Sequence, residues 1–457
     1  MNEMVEKYFN TLRGKRVAVL GIGVSNRPLI GMLASFGIDT VACDKICRED
    51  LDEEVLALER QGVVLKVGPG YLDDLQADVV FRTPGMHPDI PVLSGLREQG
   101  AVITSEMEAF FCVCPCKIIA VTGSDGKTTT TTLIAKMLEQ EGRKVWIGGN
   151  IGTPLLPLAS EMSSDDIAVV ELSSFQLMNM RQSPHIAVIT NLAPNHLDVH
   201  KDMDEYIAAK ENIYLWQTPS DKLIVNLDNE ITTSFTAKAK GSVMGFSRRS
   251  RLKQGAYVSD GTIFLADQPI MLQSDILLPG LHNVENYLAA ICAVSDYVSP
   301  ASIRKVAQTF GGVEHRIELV RILDGVRYYN DSIASSPTRT IAGLHAFDSK
   351  VILIAGGYDK QIPFDVVGLE IVDHVKRLIL CGATAEKIRA SVIASPRYHD
   401  GTPEIVVVNN LEDAVADARA HAVSGDIVTL SPACAAFDQF KNFMVRGCAF
   451  KDIVRSL

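Results

Sequence analysis

The sequence of 457 residues lacks several features that would set it apart from ordinary globular enzymes and binding proteins. It has no apolar run long enough to span a bilayer, and residues 1–16 lack the apolar core of a signal peptide. No low-complexity tract and no repeat of solenoid period is present. We therefore expect a cytoplasmic protein without membrane insertion, built from about three domains of ordinary size.

An excess of basic residues is also missing. Lys and Arg number 44 against 55 Asp and Glu, which gives a net charge of -11 and a pI near 5.5. Because the phosphate backbone of nucleic acids attracts cationic surfaces, this balance argues against a nucleic-acid partner.

The nine cysteines do not have the pattern of a disulfide framework. Their number is odd, and they are scattered along a long chain, which is typical of reduced thiols in a cytosol. Cys112, Cys114 and Cys116 form C-x-C-x-C, which lacks the two-residue spacing of most zinc knuckles and has no matching second half. We expect no metal there.

The most informative stretch is a glycine-rich turn between a predicted strand, residues 117–121, and a predicted helix, residues 129–139. Its backbone N–H groups can point at phosphate oxygens at the positive end of the helix dipole. Lys127 would neutralise the β- and γ-phosphates, and the Thr128 hydroxyl would ligate Mg²⁺. The turn predicts a nucleoside triphosphate site, although its glycines lie closer together than in the usual G-x-x-x-x-G-K-[ST]. It comprises Gly123, Ser124, Asp125, Gly126, Lys127, Thr128 and Thr129.

A second glycine turn, residues 21–26, follows the first predicted strand, residues 16–20. It reads G-x-G-x-x-N, so Asn26 replaces the last glycine of the dinucleotide fingerprint. Asp44, at the end of the next predicted strand, lies about as far along the chain from the turn as the acidic residue that binds the ribose in dinucleotide-binding proteins. Thr83-Pro84-Gly85 is another turn suited to phosphate. Together these features indicate a bound nucleotide diphosphate and are weak evidence for NAD.

Polar residues follow further predicted strands, and strands that alternate with helices imply parallel sheets. Glu171 and His196 follow strands at 167–170 and 185–190, so both are candidates to face a ligand crevice. A capped strand end and a surface histidine remain the alternative interpretation of this pair. Asn283 and Asn286 share one helical face and could bind an adenine or a ribose.

In combination these motifs occur in the order found in the Mur ligases, the ATP-dependent amide ligases of peptidoglycan precursor synthesis. From about residue 16 to the C-terminus, the sequence resembles this family. The resemblance is carried by the phosphate loop, Glu171-Leu-Ser-Ser-Phe-Gln176, Asn191 through His196-Leu-Asp198, Ala208-Ala-Lys210, His282-Asn283 with Asn286, His315-Arg316, Asn330-Asp331-Ser332 and Gly356-Gly-Tyr-Asp-Lys360.

The resemblance implies an α/β protein of three domains. Residues 1–105 would form a Rossmann-like domain for a UDP-sugar, and residues 106–313 a central P-loop-type ATP-binding domain. Residues 314–457 would form a Rossmann-like domain for an amino acid. Residues 431–443 resemble the D-glutamate-adding branch of the family, which implies UDP-MurNAc-L-alanine and D-glutamate as substrates and a monomeric enzyme.

The family also implies roles for individual residues. Lys127, Glu171, His196 and Lys210 would be catalytic, and two Mg²⁺ ions would be held by Thr128, Glu171, His196 and a carbamylated Lys210. ATP would contact the phosphate loop together with Asn283, Asn286, Arg316 and Asp331. The UDP-sugar would lie along Ser25, Asn26, Thr83, Pro84, Gly85, Asn150, Ser173 and His196. D-Glutamate would bind near Ser335, Lys360 and Phe443.

The chain departs from the family pattern in the amino-acid domain. Ile333, Ser335 and Ala436 stand where the family often has Lys, Thr and Ser. Two alternative functions therefore stay open at the level of sequence. One is another Mur-type or folylpolyglutamate-type amino-acid ligase, and the other is a regulatory protein that binds a UDP-sugar and ATP without chemistry.

Overall fold

The protein is described from a computed structural model that covers residues 3–194, 200–359, 363–399 and 401–457. His196 and Lys360, two of the candidate site residues, lie outside these ranges. The chain divides into two compact units, one formed by Met1–Asp275 with Val284–Val306 and the other by Ile276–Asn283 with Ala307–Leu457. The domain boundaries at residues 105 and 313 stay predictions.

The first sheet of the first unit has five parallel strands in the order β3-β2-β1-β4-β5. The chain reverses its direction of strand addition between β1 and β4, which leaves a crevice at the carboxyl ends of these two strands. The strands are β1 (Val17–Leu20), β2 (Thr40–Asp44), β3 (Val64–Val67), β4 (Val79–Arg82) and β5 (Val102–Thr104). The helices are α1 (Glu3–Asn10), α2 (Asn26–Ser35), α3 (Glu53–Arg60), α4 (Pro91–Glu98) and α5 (Glu106–Val113).

The second sheet has nine strands in the order β14-β13-β12-β11-β10-β9-β6-β8-β7. Its pairs are parallel from β7 to β12, whereas β12, β13 and β14 pair antiparallel. The strands are β6 (Lys117–Thr122), β7 (Val145–Gly149), β8 (Ile167–Glu171), β9 (Ile186–Ile189), β10 (Lys222–Asn226), β11 (Ser242–Ser247), β12 (Gly255–Ser259), β13 (Thr262–Leu265) and β14 (Gln268–Leu272). The helices that follow along the chain are α6 (Lys127–Gln140), α7 (Ser174–Leu177), α8 (Met203–Leu215), α9 (Glu230–Ser234), α10 (Leu281–Val294) and α11 (Pro300–Thr309).

One hydrophobic core joins these two sheets. It runs from Val19 of β1 through Phe110 of α5 to Ile118 of β6 and Val170 of β8, and each of these side chains is buried. Helix α5 ends just before β6 begins, so its apolar residues pack between the two sheets. Apolar burial of this kind stabilises the unit as a whole.

The third sheet belongs to the second unit and has the order β15-β16-β20-β17-β18-β19. The β15–β16 pair is antiparallel and the others are parallel. Side chains of β17 point alternately to the two faces of the sheet, because successive residues of a strand face opposite sides. Leu353 therefore packs in the hydrophobic core on one face and Ile352 in the core on the other. The strands are β15 (Glu318–Leu323), β16 (Val326–Asn330), β17 (Val351–Ala355), β18 (Val375–Leu380), β19 (Glu404–Val407) and β20 (Ile427–Leu430). The helices are α12 (Pro337–Leu344), α13 (Asp365–His374), α14 (Ala385–Ile393), α15 (Leu411–His421) and α16 (Phe443–Ser456).

The predicted fold class is confirmed, since each of the three sheets is mostly parallel and is flanked along the chain by helices. The strand predicted at residues 16–20 lies within one residue of β1. Helix α6, however, begins at Lys127 rather than at Thr129, because Gly126 supplies the turn before it. In the described ranges we find no helix that has both the length and the apolar character needed to cross a membrane.

Asp331 follows β16 and is almost completely buried in the second unit. Its Oδ2 accepts a hydrogen bond of 2.8 Å from the Ser431 hydroxyl, and its Oδ1 accepts one of 3.3 Å from the Ile317 amide. Burial raises the pKa of this carboxyl to about 7, although both hydrogen bonds oppose the shift. The native protein therefore keeps a proton that the unfolded chain releases at lower pH.

Replacing Asp331 by Asn should change how stability depends on pH. Because the folded-state pKa is raised, the carboxyl destabilises the native state progressively as pH rises from the unfolded pKa to about 7. We expect the unfolding temperature of Asp331→Asn, relative to wild type, to increase between about pH 4 and about pH 7 and then to level off. Thermal unfolding at several pH values measures this difference in unfolding temperature. Asp348→Asn, which changes an exposed residue, is the control. A difference that does not vary with pH would contradict the raised pKa.

Candidate functional site

The carboxyl ends of three neighbouring strands define the candidate site of the first unit. Strand β6 lies between β8 and β9, with Val121 opposite Glu171 and Thr122 opposite Ile189. The loops that leave these strands therefore emerge side by side. Ligands in parallel α/β sheets bind at this end of the sheet.

The loop after β6 is held by the loop after β9. The Ser124 amide donates to the Asn191 carbonyl at 2.9 Å, and the Asp125 amide donates to the Asn191 side chain at 2.9 Å. Gly123 has a φ of +153°, and a Cβ there would lie 1.9 Å from the Thr190 hydroxyl. A residue without a side chain is thus required for the two loops to approach each other.

The amides of Ser124 and Asp125 are committed to Asn191, so the donors for an anion are those of the first turn of α6. The first N–H groups of a helix have no acceptor within the helix, and the helix dipole adds positive potential there. Gly126 precedes α6 with a φ of +77°, and a Cβ there would lie 2.2 Å from Oδ1 of Asn286. The loop and the start of α6 therefore form a site suited to phosphate.

Two lysines donate to one backbone carbonyl in this loop. The Lys127 ammonium lies 3.1 Å from the Gly123 oxygen and 2.9 Å from the Ser124 oxygen. Nζ of Lys210, from α8, donates to the Gly123 oxygen at 2.9 Å and to the Thr122 hydroxyl at 3.1 Å. Residues far apart in sequence are thus brought together at the end of β6.

Lys210 is almost fully buried, with 1% of its surface exposed. Burial, reinforced by the positive charge of Lys127, holds its pKa well below the usual value, while the carboxylates of Glu171 and Asp125 oppose this shift. Its nitrogen also lies 4.9 Å from the centre of the Tyr206 ring. The side chain is therefore biased towards the neutral amine, which is the nucleophilic form of lysine.

Glu171 ends β8 and is 1% exposed. Its Oε1 accepts a 2.7 Å hydrogen bond from the amide of Asn150, and the Asn150 backbone N–H donates to the Glu171 carbonyl at 2.8 Å. Within the described part of the chain, Oε2 is buried and receives no hydrogen bond. A carboxylate oxygen left in this state suits a hard cation such as Mg²⁺, and the hydroxyl of Thr128 offers a second oxygen ligand in the first turn of α6.

Ser173 and Asn26, two predicted UDP-sugar contacts, also have structural partners. Ser173 caps α7 and exchanges hydrogen bonds with Gln176 in a capping box. The Asn26 side chain is buried and donates to the Gly21 carbonyl at 2.9 Å, whereas Ser25 is exposed. Asn26 therefore stabilises the glycine turn from inside.

Asp44, the candidate for a ribose-binding residue, accepts hydrogen bonds from backbone amides in and near the same turn. Oδ2 of Asp44 accepts a hydrogen bond of 2.7 Å from the Ile22 amide, and its Oδ1 accepts one of 3.1 Å from the Ile46 amide. A Cβ on Gly21 would lie 2.9 Å from Cβ of Thr83, so the turns after β1 and β4 are in contact. The structure thus joins two predicted diphosphate turns into one surface.

In the second unit, a buried arginine connects Ser332 with residues of the 431–443 segment. Arg446 donates to the Ser332 hydroxyl and carbonyl at 3.0 and 2.9 Å, and to the Cys434 and Ala435 carbonyls at 3.1 Å each. The Ser332 hydroxyl in turn donates to the Phe443 carbonyl at 2.8 Å. The sequence analysis missed Arg446, because an arginine inside a helix is usually a surface residue.

The remaining candidates divide between the two units. Asn286 accepts a hydrogen bond of 3.3 Å from the buried Thr130 hydroxyl in the first unit. In the second unit, the Asn283 side chain donates to the Pro279 carbonyl at 2.6 Å, and Arg316 is exposed. Ser335 is partly buried there.

Two family models match long stretches of the chain. The Mur ligase middle domain matches residues 121–294, and the glutamate ligase domain of Mur ligases matches residues 315–434. The chain is 52% identical over 459 residues to a UDP-N-acetylmuramoylalanine–D-glutamate ligase from Clostridium botulinum, and both chains are covered in full. It is 51% identical over 465 residues to an equally named protein from Acetivibrio thermocellus, again over the full length of both.

Solved structures share the fold at low sequence identity. A UDP-N-acetylmuramate-alanine ligase from Thermotoga maritima has a TM-score of 0.55 and 18% identity, covering 97% of this chain and 99% of that one. A UDP-N-acetylmuramoyl-L-alanyl-D-glutamate–2,6-diaminopimelate ligase has a TM-score of 0.58 and 16% identity, covering 98% of this chain and 94% of that one. With full-length relatives at about half identity and two matching domains, the chain belongs to the Mur ligase family.

Proposed function

We propose that this protein is the ligase that joins D-glutamate to UDP-N-acetylmuramoyl-L-alanine, with ATP converted to ADP and phosphate. The proposal rests on sequence identity: relatives named for this activity are about 50% identical to the chain over its whole length. Intact lysines and an intact carboxylate at the phosphate loop support catalysis over nucleotide sensing alone.

The chemistry needs activation, because a carboxylate is a poor electrophile. An oxygen of the L-alanine carboxylate attacks the γ-phosphorus of ATP, the bond to ADP breaks, and an acyl phosphate forms. The amine of D-glutamate then attacks the acyl carbon, the tetrahedral intermediate expels phosphate, and the nitrogen loses a proton. Both steps bring anions together or build up negative charge, so they require positive charge at fixed positions.

The phosphate loop supplies that charge. Lys127 is held at the loop by two carbonyl oxygens, close to where the N–H groups of α6 would bind phosphate oxygens. We propose that Thr128 and Glu171 hold one Mg²⁺ and that His196 and a carbamylated Lys210 hold a second. When bound, these ions would neutralise charge on the phosphates and on the tetrahedral intermediate.

The substrates are small molecules, and we propose a separate place for each. The turns after β1 and β4, with Asn150, Ser173 and His196, would hold the UDP-sugar, and Asn283, Asn286, Arg316 and Asp331 would complete the ATP site. Ser335, Lys360 and Phe443 would hold D-glutamate. We further propose that the enzyme acts as a monomer in the cytoplasm.

Release of ADP by the purified protein tests the function directly. With UDP-N-acetylmuramoyl-L-alanine and ATP present, we expect turnover on adding D-glutamate and little on adding L-glutamate. Turnover with L-alanine, a diamino acid or a folate substrate would instead favour another ligase of the same family. No phosphate release with any amino acid would favour a binding protein.

Lys127→Ala should abolish turnover while leaving the affinity for the UDP-sugar nearly unchanged. Loss of a charged phosphate contact costs at least about 2 kcal/mol in the transition state, and the UDP-sugar is held mainly by the first sheet. Steady-state kinetics and calorimetric titration of the UDP-sugar measure the two effects. Lys136→Ala, which removes an exposed lysine of the same helix, is the control. An equal loss of UDP-sugar affinity would contradict separate sites.

Lys210 should work as a carbamate. Its buried, neutral-biased amine can add CO₂, and the product is a carboxylate-like ligand for Mg²⁺ where an ammonium would repel the ion. We expect Lys210→Ala to be nearly inactive and to be partly restored by acetate in the vacated space. Lys210→Arg should stay inactive in acetate, because the cation remains.

Activity assays with and without acetate distinguish the variants of Lys210, and mass spectrometry of the protein kept in bicarbonate detects the added CO₂. Acetate should leave Lys136→Ala unchanged, since that lysine lies on the exposed face of α6. An arginine variant with turnover close to that of wild type would rule out the carbamate.

A further inference from the structure

Arg82 is a buried arginine that the preceding assignments leave without a role. It ends β4, immediately before the Thr83-Pro84-Gly85 turn, and only 3% of its surface is exposed. Its Nη1 donates to the carbonyl oxygens of Thr83 at 3.2 Å and Pro84 at 3.1 Å, and also to that of Met86. Three carbonyl groups of one short turn thus face a single guanidinium.

This arrangement determines where the amide N–H groups of the turn point. In a trans peptide the C=O and the following N–H point in opposite directions. Because the Pro84 and Met86 carbonyls face Arg82, the N–H groups of Gly85 and His87 are directed away from it. The Met86 N–H between them donates to the Thr83 carbonyl at 3.1 Å, so the Gly85 and His87 amides are the two of this turn that can face an anion.

The other half of the guanidinium reaches the second sheet. Nη2 of Arg82 donates to the Phe175 carbonyl at 2.9 Å. Phe175 lies in α7, the helix that directly follows Glu171 and the Ser173 cap. Arg82 therefore ties the turn of the first sheet to the segment of the second sheet that carries a proposed metal ligand.

The contact continues towards the phosphate loop. The Phe175 ring stacks on His200 with a centroid distance of 5.3 Å, and His200 packs against Tyr206 at 5.2 Å. The Tyr206 hydroxyl lies 3.0 Å from the Ser124 hydroxyl of the phosphate loop. Packed and hydrogen-bonded groups thus run from the turn to the phosphate loop.

We propose that Arg82 is a positioning residue that shapes the 83–86 turn into a donor surface for the sugar-nucleotide and fixes this surface against the phosphate loop. The proposal rests on the proposed function for the identity of the ligand. Arg82 acts through the turn that it holds, without touching the reacting atoms. Its effect should therefore fall on the binding of the UDP-sugar and on its alignment with ATP.

The geometry calls for arginine in particular. The planar guanidinium presents donors on two sides, so one side chain can bind carbonyls of the turn and of α7 together. A lysine has one compact ammonium and cannot span both groups in this way. Burial lowers the pKa of Arg82, and the nearby carboxylate of Glu108 opposes this shift.

Kinetics on Arg82→Ala and Arg82→Lys test the proposal. We expect the alanine variant to raise KM for UDP-N-acetylmuramoyl-L-alanine about tenfold or more and to lower kcat, with KM for D-glutamate within about twofold of wild type. KM and kcat of the lysine variant should lie between those of the alanine variant and those of wild type. Free guanidinium ion should partly restore the activity of the alanine variant. Arg16→Ala is the matched control, because Arg16 bonds Gln76 and Asp78 at the opposite end of the same sheet.

Direct titration of UDP-N-acetylmuramoyl-L-alanine separates this proposal from the proposed function. If wild type binds the UDP-sugar but releases no ADP, the ligase assignment fails, while weaker binding by Arg82→Lys still supports the role of Arg82. If Arg82→Ala does not fold, Arg82→Lys decides: an affinity equal to that of wild type would overturn the proposal. The proposal would also be overturned if Arg82→Ala raised KM equally for all three substrates and lowered the unfolding temperature.

Discussion

The convergence of two lysine side chains on the Gly123 carbonyl organises the candidate site of the first unit. Lys127 reaches this oxygen from the loop and Lys210 reaches it from α8, so the loop cannot shift without disturbing both. Burial and the positive charge of Lys127 together lower the pKa of Lys210. Glu171 ends the neighbouring strand β8, opposite Val121 at the end of β6, and offers an oxygen whose partner would be a cation. The proposed phosphate binding, metal binding and chemistry of Lys210 thus all depend on one local arrangement.

Much of the site could be predicted from the sequence, because its signals are local. Glycine, lysine and threonine follow a buried strand within a few residues, and the alternation of apolar strands with helices predicts a parallel sheet. The end of β8 likewise indicated Glu171. Position along a parallel strand then decides which side chains meet, since all carboxyl ends lie on one edge. Local sequence patterns of this kind therefore predict which side chains meet in the folded protein.

Other features depend on contacts between distant segments, which no local pattern contains. Asp44 has the spacing of a ribose-binding residue, yet its carboxylate binds the amides of Ile22 and Ile46. Arg82 and Arg446 looked like ordinary charged residues, yet each is buried among backbone carbonyls of other elements. The sequence shows that such a residue is charged, but only the fold shows which carbonyl groups remain to be satisfied by it.

The continuous core of the first unit has a consequence for how the enzyme can be divided. Phe110 and Val113 of α5 pack between the first and second sheets, close to the predicted boundary at residue 105. A truncation there would leave apolar side chains of both fragments in water, where they favour aggregation. The first and second sheets are therefore separable in topology but not as independently soluble modules.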